Sequence, residues 1–108
     1  VYLLKPIPEM PENVPKYLLK RHWLGLDAQV QVSKADYIQR HQRILHSMQK
    51  AQQECGAKLL DPTSVLCSKQ TCYGSDAQGR PYYYDDDHLS LYGALQLQPM
   101  FKTMFMKQ

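Results

Sequence analysis

Gly56-Ala57-Lys58-Leu59-Leu60-Asp61-Pro62 decides the fold, because it sets a short apolar run directly behind a long amphipathic segment. Asp61-Pro62 stops the run, so Ala57–Leu60 reads as one buried strand. Upstream, Ser33-Lys34-Ala35-Asp36 opens a helix with Ser33 as N-cap and Asp36 in the first turn. Tyr37, Ile38, His41, Ile44, Leu45, Met48, Ala51 and Cys55 follow at spacings of three and four, and Gly56 supplies the C-cap. Gln39, Arg40, Gln42, Arg43, Gln49 and Lys50 form the outer face. The stripe predicts a helix packed on a core, with His41 at the core edge and Cys55 a small buried hydrophobe. An interface with a partner helix is the other use of such a stripe. Farther upstream, Val1-Tyr2-Leu3-Leu4 is a second apolar run. Strand, helix and strand make a crossover, which predicts an α/β fold with parallel pairing.

The connections fit that frame. Pro6, Pro8, Pro11 and Pro15 hold an extended segment behind the first strand, where ligands bind in parallel sheets. Pro15 suits the first turn of a helix over Lys16–Trp23, which Gly25 ends. Downstream, Thr63–Cys67 reads as a short edge segment or helical turn, and Tyr73–Arg80 as a turn. Cys72–Tyr84 has the makings of a small hairpin, with Tyr82, Tyr83 and Tyr84 in strand packing or in an aromatic wall for a sugar. A last helix starts near Ser90, with apolar positions at Leu91, Ala94, Leu95, Leu97, Met100, Phe101, Met104 and Phe105. Pro99 kinks it or begins another.

The chain has 108 residues, 44% of them hydrophobic, and a net charge of +3. That bounds it to one domain, or part of one, with a small core. Lys16, Lys20, Arg21 and His22 form a short basic helix face, too sparse for a nucleic-acid site. No apolar run is long enough to span a bilayer, so direct membrane insertion by this segment is not expected. A chain that starts on Val1, already in a strand, reads as part of a longer polypeptide. Cys67 and Cys72 can close a disulfide loop, remain free thiols or, less in keeping with their spacing, share a metal. A disulfide would place the chain in an oxidising compartment.

The chemistry concentrates in Tyr84-Asp85-Asp86-Asp87-His88-Leu89-Ser90. An Asp three residues before a His can set a carboxylate against an imidazole, as in a Ser-His-Asp triad. In that role Asp85 orients the ring and His88 moves the proton. The positive end of the following helix should lower the pKa of His88, and Asp86 and Asp87 should face solvent or cap that helix. The same letters also suit a divalent-cation loop or a plain polar helix cap. A serine on a strand-to-helix turn is not recognisable. Gly74-Ser75-Asp76 lies in a turn, which argues against Ser75 as the nucleophile.

Leu59-Leu60-Asp61-Pro62, Leu66-Cys67, Cys72, Gly79-Arg80-Pro81-Tyr82 and Tyr84-Asp85-Asp86-Asp87-His88-Leu89-Ser90-Leu91-Tyr92-Gly93-Ala94 together resemble the C-terminal block of SGNH (GDSL-type) hydrolase domains. The likeness is to the version fused behind membrane acyltransferases that O-acetylate bacterial surface polysaccharides. Leu3-Leu4-Lys5-Pro6-Ile7-Pro8-Glu9-Met10-Pro11 is similar to the same family, and the resemblance runs from Val1 to about Phe105. It implies a flavodoxin-like α/β/α sandwich, of which residues 1–108 would be the C-terminal part. It implies Asp85 and His88 as the triad carboxylate and base, with the nucleophile and oxyanion residues outside this chain and no cofactor. The expected partners are an acylated or acceptor glycan and a membrane acyltransferase domain, at a periplasmic or extracytoplasmic location. A carbohydrate-binding or scaffold domain that keeps the fold without activity is the alternative.

Overall fold

A computed structural model of the chain describes residues 1–26 and 29–106, with the backbone alone for residues 103–106. Its order is β1 (Tyr2–Leu4), α1 (Val14–Trp23), β2 (Gln31–Ser33), α2 (Lys34–Arg40), α3 (Gln42–Cys55), β3 (Lys58–Leu60), α4 (Thr63–Leu66), β4 (Thr71–Tyr73), α5 (Leu91–Gln96) and α6 (Gln98–Met106). β1 and β3 pair in parallel, with Leu3 opposite Leu59. Backbone bonds from Lys58 to Val1 and from Lys5 to Leu60 extend the ladder at both ends. The expected α/β crossover is therefore present, and the fold is mixed α/β.

A second sheet was not legible. β2 pairs antiparallel with β4, Val32 opposite Cys72, so the residues just before the Ser33 cap are a strand. The expected hairpin is reduced to a single bridge, Ser75 to Pro81, closing the Asp76–Arg80 turn. Met10, Val14, Val30, Cys72 and Tyr83 form the core cluster between this sheet, α1 and the Pro-rich segment.

The Pro-rich segment is a hub. Prolines have no N–H to donate, but their carbonyls still need partners when covered. The Tyr37 hydroxyl donates to the Pro6 carbonyl at 2.8 Å, and the buried Tyr83 hydroxyl donates to Pro8 at 2.5 Å. Arg40 adds an ion pair with Glu9 at 2.7 Å.

These ties help explain a departure from the expected single helix. Ser33 caps α2 through the Asp36 N–H, as its sequence predicts. The helix then breaks at His41, with φ −106° and ψ 16°, and α3 starts afresh. Tyr37 and Arg40 are fastened to the Pro-rich segment, and His41 packs on the Tyr37 ring at 5.0 Å with Nε2 buried and unpartnered. Beyond that point the stripe meets little. Ile38 and Ile44 are exposed, Leu45, Met48 and Ala51 half-buried, and Cys55 is an exposed free thiol rather than a buried hydrophobe. A short two-stranded sheet offers too little surface to cover a helix of that length.

The C-terminal end follows its prolines and caps. Ser90 caps α5, and Pro99 stands in the first turn of α6 after a break at Leu97. Leu97 is buried, but Leu91 and Leu95 are exposed, contrary to the expected stripe. The side chains of Met104 and Phe105 lie outside the described residues.

Candidate active site

The Tyr83–Leu89 loop is built from its own polar side chains and then clamped from a distance. A bridge joins Tyr83 to Leu89, and the Tyr84 N–H donates to the His88 carbonyl at 3.0 Å. Inside the loop, Asp85 Oδ1 accepts the N–H groups of Asp87 at 2.9 Å and His88 at 2.7 Å. This is the local turn a short carboxylate makes with its own backbone. Asp85 Oδ2 is left for the ring, 2.9 Å from His88 Nδ1.

The clamp comes from the Pro-rich segment. The Met10 N–H donates to the Asp86 carbonyl at 2.7 Å, and the Val14 N–H to the Asp85 carbonyl at 3.2 Å. On the other side the Ser90 hydroxyl donates to the Pro81 carbonyl, the Ser90 N–H to the Tyr82 carbonyl, and Ser90 Oγ accepts the Gly93 N–H. Gly93 passes so close that a Cβ there would lie 2.0 Å from the Tyr82 carbonyl oxygen. Tyr92, from the same turn, donates its hydroxyl to Asp76 at 2.6 Å, and Arg80 pairs with that carboxylate at 2.7 Å while lying over the Tyr92 ring. The Tyr92 bond, with Arg80 and its backbone N–H, outweighs desolvation and holds Asp76 at a pKa of about 2. That strut fixes α5 to the Asp76–Arg80 turn.

Electrostatics correct one expectation and enlarge another. The pKa of His88 is raised, first by its bond to Asp85 and then by the charges of Asp85 and Asp87. Two adjacent carboxylates outweigh the end of a six-residue helix, α5, whose field fades within a turn. Asp87 faces solvent, as expected, and its Oδ1 also lies 2.9 Å from His88 Nδ1. The cap is Ser90, and Asp86 is exposed. Desolvation alone would raise Asp85, but bonds from the His88 and Asp87 N–H groups and the imidazole bring it down to about 2. Asp87 moves up instead, through desolvation and the charges of Asp86 and Asp85, against the pull of His88. Asp85 is thus the more persistent anion at Nδ1.

Asp85 and His88 are therefore together, whereas Ser75 stands in the bridge to Pro81 and Ser90 is committed to its cap. Asp85, Asp87 and His88 also offer ligand atoms within 4.8 Å of one another, though a cation there would compete for the Nδ1 that orients the ring. Cys67 and Cys72 are joined, with an S–S distance of 2.10 Å. Sequence reasoning missed the second carboxylate on Nδ1, and it missed Tyr84, whose ring stacks on His88 at 5.4 Å. The clamp by Met10 and Val14 leaves no sequence signal, since it uses backbone N–H groups.

Comparison with curated proteins and with solved structures gives no match. Residues 1–103 match the family described as SGNH domain (fused to AT3 domains). That span takes in β1, the Pro-rich segment, the disulfide loop and the Asp85–His88 loop, so the chain belongs to the SGNH-domain family whose members are fused to AT3 domains.

Proposed function

We propose that this chain supplies the Asp and His of a Ser-His-Asp triad for acyl transfer to, or ester hydrolysis on, cell-surface glycans. The coarser level rests on the family, an acyl-transfer or esterase type of domain whose AT3 fusion associates the parent protein with a membrane. The observation that carries the finer reading is the Asp85 Oδ2 to His88 Nδ1 contact of 2.9 Å, on a carboxylate whose other oxygen is locked by two backbone N–H groups.

The mechanism follows from that placement. Asp85 holds the Nδ1–H tautomer, which leaves the Nε2 lone pair free to accept a proton. A serine hydroxyl from outside this chain gives its proton to Nε2 as it attacks the ester carbonyl. The tetrahedral intermediate collapses to an acyl-serine while His88 protonates the departing alcohol. A water or a sugar hydroxyl then enters by the reverse steps. Asp85 and Asp87 stabilise the imidazolium formed in each half. The oxyanion donors, like the serine, belong to the rest of the domain. The Cys67–Cys72 link suits an oxidising, periplasmic or extracytoplasmic site.

The test is fluorophosphonate labelling of the parent protein, with the adduct mapped by mass, in wild type and His88→Ala. The expected result is one labelled serine outside this chain whose labelling collapses in the variant. Labelling indifferent to His88, or absent, would assign the domain to carbohydrate binding or scaffolding instead.

A further inference from the structure

Both carboxylates beside His88 meet its ring at one atom. Asp85 Oδ2 and Asp87 Oδ1 each lie 2.9 Å from Nδ1. The N–H there has two acceptors, so the imidazole can tip from one to the other without losing a bond. Rotation about its Cβ–Cγ bond is broad and soft. Nε2, across the ring, is carried along with each tip. A base must aim its lone pair at the hydroxyl it deprotonates, so the two carboxylates alone leave the reactive atom loosely aimed.

Tyr84 supplies a second constraint. Its ring lies against the imidazole with centroids 5.4 Å apart and planes 19° from parallel, an offset stack. Turning the imidazole about Cβ–Cγ drives one of its edges toward the phenol. The loop is what brings the two rings together. Tyr83 is fully buried, with its hydroxyl on the Pro8 carbonyl, so the next side chain along an extended run points the other way. The Tyr83–Leu89 bridge, and the Tyr84 N–H bonded to the His88 carbonyl, then set Tyr84 and His88 side by side across the loop. Tyr84 is 61% exposed and stands outside the core cluster, so the core does not account for its ring.

We propose that Tyr84 is a positioning residue, whose ring fixes the plane of the His88 imidazole and so the aim of Nε2 at the serine proton. This role rests on the triad proposed above, since Tyr84 acts through His88 and touches no reacting atom. It uses the flat face of the ring and not the hydroxyl. It works from within the loop, whatever the rest of the domain lays over the outer face of Tyr84.

The parent protein is labelled with a fluorophosphonate over a range of concentrations and pH, as wild type, Tyr84→Ala, Tyr84→Phe and His88→Ala. In that reaction the serine oxygen bonds phosphorus, fluoride leaves, and His88 takes the serine proton. The reagent carries no sugar, so a tyrosine that served only to stack on a glycan would leave labelling unchanged. Tyr84→Ala should lower the saturating rate about tenfold at an unchanged half-saturating concentration. Its acid limb should stay above pH 6.5, because Asp85 and Asp87 still face the ring, and its urea midpoint should not move. Tyr84→Phe should keep the wild-type rate. Labelling lost in His88→Ala but intact in Tyr84→Ala overturns the proposal and leaves the triad standing. Labelling intact in His88→Ala removes the triad, and the proposal with it. A raised half-saturating concentration at full rate makes Tyr84 a binding surface and overturns the positioning role. So does a slower Tyr84→Ala whose acid limb falls to 6.5 or whose midpoint drops, since the ring would then be holding the loop together.

Discussion

The Tyr83–Leu89 loop and α3 are opposites. The loop has almost no regular structure, yet its side chains and carbonyls are tied to Pro8, Met10, Val14 and each other. α3 is regular over its whole length, yet none of its residues is buried. Hydrogen bonds along a helix fix its shape without fixing where it lies. What places a functional side chain to within tenths of an ångström is a set of polar contacts to backbone that cannot move independently.

The loop should therefore punish single-atom changes. Asp85→Asn keeps the shape but offers an amide N–H where Nδ1 needs an acceptor, and can hold the wrong tautomer. Acyl turnover by the parent should fall about ten-thousandfold. Asp87→Asn leaves Asp85 in place and should cost less than about tenfold, as a secondary charge near a solvated ring. Equal losses in the two variants would show that the carboxylates are interchangeable and that the Asp85 turn does not select between them.

Glycines give the next contrast, in stability. Gly93→Ala drives a methyl onto the Tyr82 carbonyl and should cost about 3 kcal/mol by urea unfolding, since backbone on both sides must give. Gly56→Ala, at the end of α3, meets open space and should cost about 1 kcal/mol for its left-handed φ of +69° alone. A ranking in the other order would mean that α3, not the loop, carries the cooperative structure.

The sequence legibility of the two regions follows the same division. β1 and β3 could be read because apolar runs bounded by proline need only their neighbours to declare themselves. The Asp85–His88 contact could be read because its turn spans three residues. β2 could not, since Gln31-Val32-Ser33 has one apolar residue and takes its strand from Cys72, forty residues on. The Met10 and Val14 clamp is invisible for the same reason, and Asp87 was hidden by the assumption that one carboxylate suffices. In α3 the period of the stripe named the face correctly. Period tells which side seeks cover, not whether a surface exists to provide it.

A pH series separates the regions further. His88 must be neutral to act as base, and its pKa lies above the ordinary 6.5. The acid limb of turnover should therefore sit above pH 6.5, and Asp87→Asn should move it down. Stability has the opposite dependence for the two partners. A raised imidazole pKa contributes stability fully present below 6.5 and lost as pH rises through the folded value. The depressed Asp85 contributes stability present above its ordinary 3.8 and lost as pH falls through about 2. Acid limbs at or below 6.5 in wild type would show that the helix end, not the carboxylates, sets the ring.

The smallest effects belong on α3. Ile44 is 44% exposed in this chain, and Ile44→Glu should change unfolding stability by no more than about 0.5 kcal/mol. Leu45→Ala, on the half-buried side of α3, should cost about 1 kcal/mol from lost methyl burial. The pair tests whether the stripe is satisfied within the chain. If Ile44→Glu costs as much as Leu45→Ala, Ile44 is covered in solution, and the contrast with the loop narrows to one of chemistry rather than packing.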